Sequence, residues 1–174
     1  MSSNNLFRIG GIAGILSIPL VFAAGAVPVL FVIVPLLLAV FHFALYRFFG
    51  DKSPSLNLSA VVIGVGGSIF LALVLFMNGA DTLIGIGFAV AFILPPALFG
   101  LVAYQNGDAG FSRTLAIIGI VAGVFGILNA VVGAVGGGWT NPNPHPLVLP
   151  TYFVSVLAAV VWMIWSAIIL FRKA

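Results

Sequence analysis

Cysteine and glutamate are both absent from this chain, and charged residues make up only 5% of its 174 residues. Without cysteine the chain can form no disulfide, thiolate nucleophile, haem thioether link or iron–sulfur cluster. Soluble domains carry about 25% charged residues, whereas 63% of this sequence is hydrophobic. Most side chains must therefore face lipid or other helices, and we predict an integral membrane protein.

Long uncharged stretches predict how many times the chain crosses the membrane. No charged residue lies between Arg8 and Arg47, an interval about twice the roughly 20 residues that one span needs, so two spans must fit there. We place the break between them at 25–28, where glycine can end one helix and proline can begin the next. The expected spans cover about 9–26, 29–49, 58–78, 82–104, 112–136 and 147–171, within a single membrane domain, 1–174.

The distribution of lysine and arginine predicts the orientation. With six spans, every basic residue falls on the side that also holds both termini: Arg8, Arg47, Lys52, Arg113, Arg172 and Lys173. The other side carries Asp81 and His145 but no lysine or arginine. Cytoplasmic loops are enriched in these basic residues. We therefore predict an all-α six-helix bundle with both termini cytoplasmic, in the cytoplasmic (inner) membrane of a prokaryote.

Small residues recur along the fifth span at steps of four and three and form a seam. Helices in lipid associate where small side chains let their backbones approach closely. The seam predicts that span 5 is the most tightly buried helix, packed through Gly119, Gly123, Gly126, Ala130 and Gly133.

A few polar or helix-breaking residues inside the spans are candidates for ligand contact. His42 is either a structural histidine bonded to a carbonyl, a ligand or proton carrier, or a haem ligand, and Asn129 either bonds a neighbouring helix or contacts a substrate. Pro19 in span 1 and Pro95 and Pro96 in span 4 remove helix hydrogen bonds near the membrane midplane. They either shape the bundle or line a cavity, and in a protein of two three-span halves spans 1 and 4 would be equivalent.

Aromatic residues supply two further candidates. Trp162 and Trp165 are predicted to share one face of span 6, where they either pack against a helix or form a platform for a chromophore or lipid. Between spans 5 and 6, the stretch GWTNPNPHP is predicted to be a stiff outer cap. In that cap, Trp139 is an interfacial anchor and His145 a candidate for partner or ligand contact.

Groups that support catalysis or bind metal are few and far apart. Asp51, Asp81 and Asp108 all lie in connectors, so no span carries a carboxylate for ion coupling. His42 and His145 fall on opposite sides of the membrane and cannot share a metal ion. Hydrolase and nucleotide-binding motifs are absent. We expect no catalytic residue, metal, cofactor or nucleic-acid partner.

Four stretches carry a resemblance: LFRIGGIAGIL, ALYRFFG, FSRTLAIIGIVAGVFGIL and VVWMIWSAIILF. With the overall layout, they resemble a loose group of uncharacterised small prokaryotic six-span membrane proteins, some classed as domains of unknown function. The resemblance implies an inner-membrane helix bundle and carries no activity or site residue.

Three functions are compatible with these features. The first is a non-catalytic accessory or scaffold subunit, embedded in the lipid bilayer and packing against itself, as a homo-oligomer, or against a larger membrane complex. The second is a transporter or binding protein for a neutral or lipid-like ligand at the proline-broken spans 1 and 4. A redox or haem protein is the third.

Overall fold

Apolar helices account for almost all of the chain that the computed structural model describes, which is residues 3–23, 29–77, 81–107, 110–135, 143 and 145–174. The helices are α1 (Ser3–Ala23), α2 (Leu30–Phe49), α3 (Pro54–Phe76), α4 (Asp81–Phe88), α5 (Leu94–Asn106), α6 (Arg113–Val135) and α7 (Val148–Lys173). A π-helical turn, Ala89–Ile93, joins α4 to α5. Spans 1 to 3 are α1 to α3, span 4 is α4 through α5, and spans 5 and 6 are α6 and α7. All six are long and apolar enough to cross a membrane, which confirms the predicted fold class.

Two helices begin before the predicted start of their spans. α1 begins at Ser3 rather than at residue 9, because its polar first turns continue the helix beyond the apolar stretch. α3 begins at Pro54 rather than at 58. Proline suits the first helical position, since its fixed φ is helical and no partner is needed there for its missing N–H. Most of the connectors between spans 1 and 2 and between spans 3 and 4, including the predicted break at 25–28, lie outside the described residues.

Consecutive spans pack side by side, and span 6 packs against span 1, so the spans form a closed ring. Residue pairs such as Gly10 with Ala44 and Gly14 with Phe41 show that neighbours run antiparallel. Spans 2, 4 and 6 also contact one another across the centre, while spans 1, 3 and 5 each lie between two of these inner spans. Spans 1 and 4 therefore occupy different positions in the ring, whereas two equivalent three-span halves would place them alike.

The antiparallel order places all basic residues at one end of the bundle, which we call the basic face: Arg8, Arg47, Lys52, Arg113, Arg172 and Lys173. Both ends of the described chain lie at this face. Side-chain hydrogen bonds tie its connectors together. The Asn57 amide donates to the carbonyl oxygens of Tyr46 (3.1 Å) and Gly50 (2.8 Å) at the end of α2. The Asn106 amide donates to the Ser53 hydroxyl at 2.9 Å, which joins the end of α5 to the α2–α3 connector.

The seam of span 5 packs as predicted over only part of its length. A β-carbon at Gly119, Gly123 or Gly126 would overlap atoms of span 4, so these glycines permit a very close crossing with α5 and the π turn. Ala130, however, is exposed. The prediction that span 5 is the most buried helix is wrong: 28% of its apolar stretch is buried, against 56% of that of span 4. A seam is a single stripe, and the other faces of α6 remain on the outside of the ring.

Candidate ligand-binding site

A cavity of about 240 Å³ lies in the half of the bundle away from the basic face. Spans 1, 2, 3, 4 and 6 supply its walls, through Val21, Val34, Pro35, Leu71, Leu75, Ile84, Phe88, Phe92, Tyr152, Val156 and Val160. Val21 and Leu75 belong to the last turns of α1 and α3, and Ile84 to the first turn of α4. All three of these turns are at the end of the bundle opposite the basic face.

The walls of this cavity are almost entirely apolar, and among the described lining residues Tyr152 alone has a polar side-chain atom. Pro35 is buried in the middle of α2 and has no N–H to donate to the helix. Phe88 and Phe92 stack at a ring-centroid distance of 5.0 Å on the span 4 side. Ligand pockets are typically apolar with few polar groups, and a neutral, apolar molecule is the chemistry that such walls accept.

The π turn of span 4 brings Phe92 to this wall. Its defining hydrogen bond runs from the Leu94 N–H to the Ala89 carbonyl, one residue beyond the α-helical partner. Pro95 and Pro96 follow directly and cannot donate, so the backbone relaxes into the wider π register at this point. Gly67 of α3 accommodates the turn, since a β-carbon there would lie 2.9 Å from the Val90 carbonyl carbon. The predicted break in span 4 is thus a π turn, and it borders the cavity.

An aromatic layer closes the bundle between the cavity and the basic face. We use this name for the buried rings of Phe41, His42, Phe49, Phe99, Phe111 and Trp162. Phe99 lies at its centre and stacks with Phe49 (5.9 Å), His42 (6.2 Å) and Trp162 (6.4 Å), measured between ring centroids. Leu38, one turn from both Val34 and His42 on α2, is buried between the cavity and this layer.

His42 is completely buried in the aromatic layer, against Gly64 of α3. A β-carbon at Gly64 would lie 2.8 Å from the Cγ and Nδ1 atoms of the imidazole. Of the alternatives for His42, bonding to a carbonyl points to the Gly64 backbone beside the imidazole, although neither ring nitrogen meets hydrogen-bond geometry within the described residues. The Gly64 carbonyl instead accepts the Ser68 hydroxyl at 2.6 Å. His42 thus packs in the aromatic layer between Gly64 of α3 and the ring of Phe99.

The two tryptophans of span 6 occupy different environments. Trp162 is fully buried in the aromatic layer, whereas Trp165 is 46% exposed on the outside of the bundle. The prediction that they share one face is therefore wrong. Residues three apart on a helix differ by about 60° in direction, which is enough here to separate the core from the surface.

The other predicted ligand contacts also lie away from the cavity. The Asn129 amide donates to the Val148 carbonyl (2.7 Å) and to the Thr151 hydroxyl (3.0 Å). Of the two hypotheses for Asn129, the structure therefore has the bond to a neighbouring helix. Pro19 is exposed on α1, while Pro95 and Pro96 are buried at the start of α5. Of the spans predicted to be broken by proline, span 1 contributes Val21 to the cavity and span 4 contributes Ile84, Phe88 and Phe92.

The cap between spans 5 and 6 is described only in part. Trp139 lies outside the described residues. His145 is exposed, its Nδ1 accepts the Leu147 N–H at 3.3 Å, and its carbonyl oxygen accepts the Val148 N–H at 2.9 Å. His145 therefore helps to begin α7.

Sequence reasoning missed most of the residues that form the cavity. Val156 and Leu71 are two among many apolar residues, and only the tertiary arrangement distinguishes them. Pro35 did offer a signal, because an internal proline in a span marks a weakened helix. Tyr152 offers no signal for a cavity, because tyrosine near the end of a span is common at membrane interfaces.

Together, the helices and the cavity define a multi-pass membrane protein with an apolar chamber in one half of its bundle. Searches against protein-family models, curated proteins and solved structures each returned no match. The resemblance to small prokaryotic six-span proteins stays a prediction. Among the described residues, no group of three or more histidine or acidic side chains is placed to hold a metal ion.

Proposed function

We propose that the protein is a non-catalytic membrane binding protein or carrier for a small neutral, apolar or lipid-like molecule. The observation that carries this proposal is the apolar cavity of about 240 Å³. An apolar cavity of about 150 Å³ stays dry and binds benzene. By proportion, this larger cavity suits a molecule of about ten non-hydrogen atoms.

The side of entry is part of the proposal. If the basic face is cytoplasmic, as the positive-inside rule predicts, the cavity lies in the outer half of the inner membrane. A ligand would then arrive from the outer side or outer leaflet and meet the aromatic layer at the inner end. Carriage to the other side would require Leu38 and Phe99 to move apart.

The structure weakens one argument for the scaffold alternative. It depended on abundant glycine, but the glycines of the tight crossings pack against helices of the same chain. Gly66 and Gly85 are exposed, and a β-carbon at either would meet open space. They are the positions at which a second copy or a larger complex would approach closely. A single species in native mass spectrometry, with no protein companion, would contradict the scaffold alternative.

A matched pair of tryptophan variants tests the proposal. Val156 lines the cavity, while the neighbouring Leu157 is 62% exposed on the outside. Val156→Trp adds about seven non-hydrogen atoms to the cavity and displaces as many atoms of the ligand. At about 0.3 kcal/mol of binding free energy per ligand atom, the variant should lose about 2 kcal/mol of binding free energy. That corresponds to about 30-fold weaker binding. Leu157→Trp makes the same change on the lipid side and should bind as the wild type does.

The probe is 1-fluoronaphthalene, followed by ¹⁹F NMR with the protein in lipid nanodiscs. We expect a bound signal distinct from lipid-dissolved probe in the wild type and Leu157→Trp, and its loss in Val156→Trp. An equal signal in all three proteins, or none in any, would refute binding in this cavity.

A further inference from the structure

A groove between α1 and α7 at the basic face combines a cationic side chain with apolar ones. It is lined by Asn5, Arg8, Ile9, Ile12 and Phe171. Ile9, Ile12 and Phe171 are each close to half exposed, at 47%, 47% and 48%. The groove lies on the outer surface of the bundle and is separate from the central cavity.

The order of these side chains along α1 follows the depth of a membrane. Arg8 and Ile12 are four residues apart, so they share one face and differ in depth by about 6 Å. Arg8 is nearer the basic face, and Ile12 lies further into the span. A phospholipid has the same order, with its phosphate at the interface and its acyl chains below.

The two helices that line the groove, α1 and α7, pack closely against each other. Gly11 lies so near α7 that a β-carbon there would be 2.8 Å from the Ala167 carbonyl oxygen and 3.3 Å from the Phe171 Cβ. The two helices therefore approach closely beneath the exposed side chains.

The charge of the groove selects the headgroup. Arg8 makes no salt bridge within the described part of the chain and is the cationic side chain among the described residues of the groove, whereas Arg172 at the end of α7 lines a separate groove. Basic side chains beside a span attract anionic lipids, and the arginine fork suits a phosphate. We infer that this groove binds an anionic phospholipid, with its phosphate at Arg8 and an acyl chain along Ile9, Ile12 and Phe171.

The test is a native mass spectrometry titration with phosphatidylglycerol and with phosphatidylcholine of the same acyl chains. We expect tighter binding of phosphatidylglycerol to the wild type. Arg8→Gln should weaken it about fivefold, as expected for loss of one interfacial cation. It should weaken phosphatidylcholine less, because the choline cation of that headgroup already offsets the phosphate charge. Arg47→Gln is the matched control, since it removes an equal charge at the same face and Arg47 lines no part of this groove.

Further variants separate charge from shape. Arg8→Lys should retain most of the preference, and Ile12→Trp, which fills the apolar part, should weaken binding of phosphatidylglycerol. Equal losses in Arg8→Gln and Arg47→Gln, or no headgroup preference in the wild type, would overturn the inference. Displacement of the lipid by glycerol 3-phosphate would do so too, by indicating a soluble phosphate ligand. None of these outcomes depends on whether the cavity binds 1-fluoronaphthalene.

Discussion

Gly119 is the position at which a single methyl group should do most damage to the bundle. A β-carbon there would lie 2.7 Å from Nε1 of Trp162 and 2.8 Å from its Cδ1, and would overlap the carbonyl oxygen of Pro96. Neither neighbour can easily yield. The carbonyl belongs to the backbone of α5, and the indole is held by Phe99, Phe41 and Phe111 at centroid distances of 6.2 to 6.4 Å.

The size of the effect follows from two opposing terms. Overpacking a well-packed core costs about 1–3 kcal/mol, and overlap with backbone argues for the upper end. Replacing glycine by alanine inside a helix returns about 1 kcal/mol. We therefore expect Gly119→Ala to lower the free energy of unfolding by about 2 kcal/mol. On the scale of soluble domains of similar length, that lowers Tm by about 4–8 °C.

Gly66→Ala is the matched control, because Gly66 is exposed on α3 and a β-carbon there meets open space. It should leave stability unchanged or raise it by up to about 1 kcal/mol. Both variants are compared with the wild type by reversible unfolding in mixed micelles of increasing dodecyl sulfate content. Equal stability of Gly119→Ala and Gly66→Ala would refute the close crossing of spans 4 and 5.

Three further predictions use the same unfolding assay or tryptophan fluorescence. His42→Phe should leave stability unchanged or raise it, because it keeps an aromatic ring in the layer and removes a buried imidazole whose nitrogens meet no hydrogen-bond geometry in the described residues; a large loss would indicate that the imidazole does bond the Gly64 backbone. Asn129→Leu should cost about 0.6 kcal/mol and at most about 2, since it removes the bonds to α7, and a neutral result would contradict their contribution. In variants that retain a single tryptophan, brominated lipid should quench the fluorescence of Trp165 strongly and that of Trp162 weakly, because of these two only Trp165 is exposed. Equal quenching of the two would contradict the burial of Trp162.

The number of spans and their order across the membrane followed from charge and hydropathy. The interval between Arg8 and Arg47 is too long for one span, and the distribution of basic residues is consistent only with an even number of crossings. Helix ends were less predictable. Ser3 and Pro54 begin helices in polar segments, and hydropathy does not report where a helix begins in water.

The site was predictable only in outline. Proline indicated a disturbed span 4, but its form as a π turn, and the position of Phe92 on the cavity wall, depend on packing against Gly67. The polar residues His42 and Asn129 attracted attention because buried polar groups are costly in a membrane. Both instead stabilise or fill contacts between helices. The cavity is formed by ordinary apolar residues, which carry no signal of their own.

The most direct test of the central claim is to identify what remains bound when the protein is extracted from its native membrane into nanodiscs. Native mass spectrometry with lipid and small-molecule analysis would be applied to the wild type, Val156→Trp and Leu157→Trp. A stoichiometric small apolar molecule, present in the wild type and Leu157→Trp and absent from Val156→Trp, is the predicted result. Retention of that molecule by Val156→Trp, or a protein subunit as the sole stoichiometric companion in all three, would contradict the account.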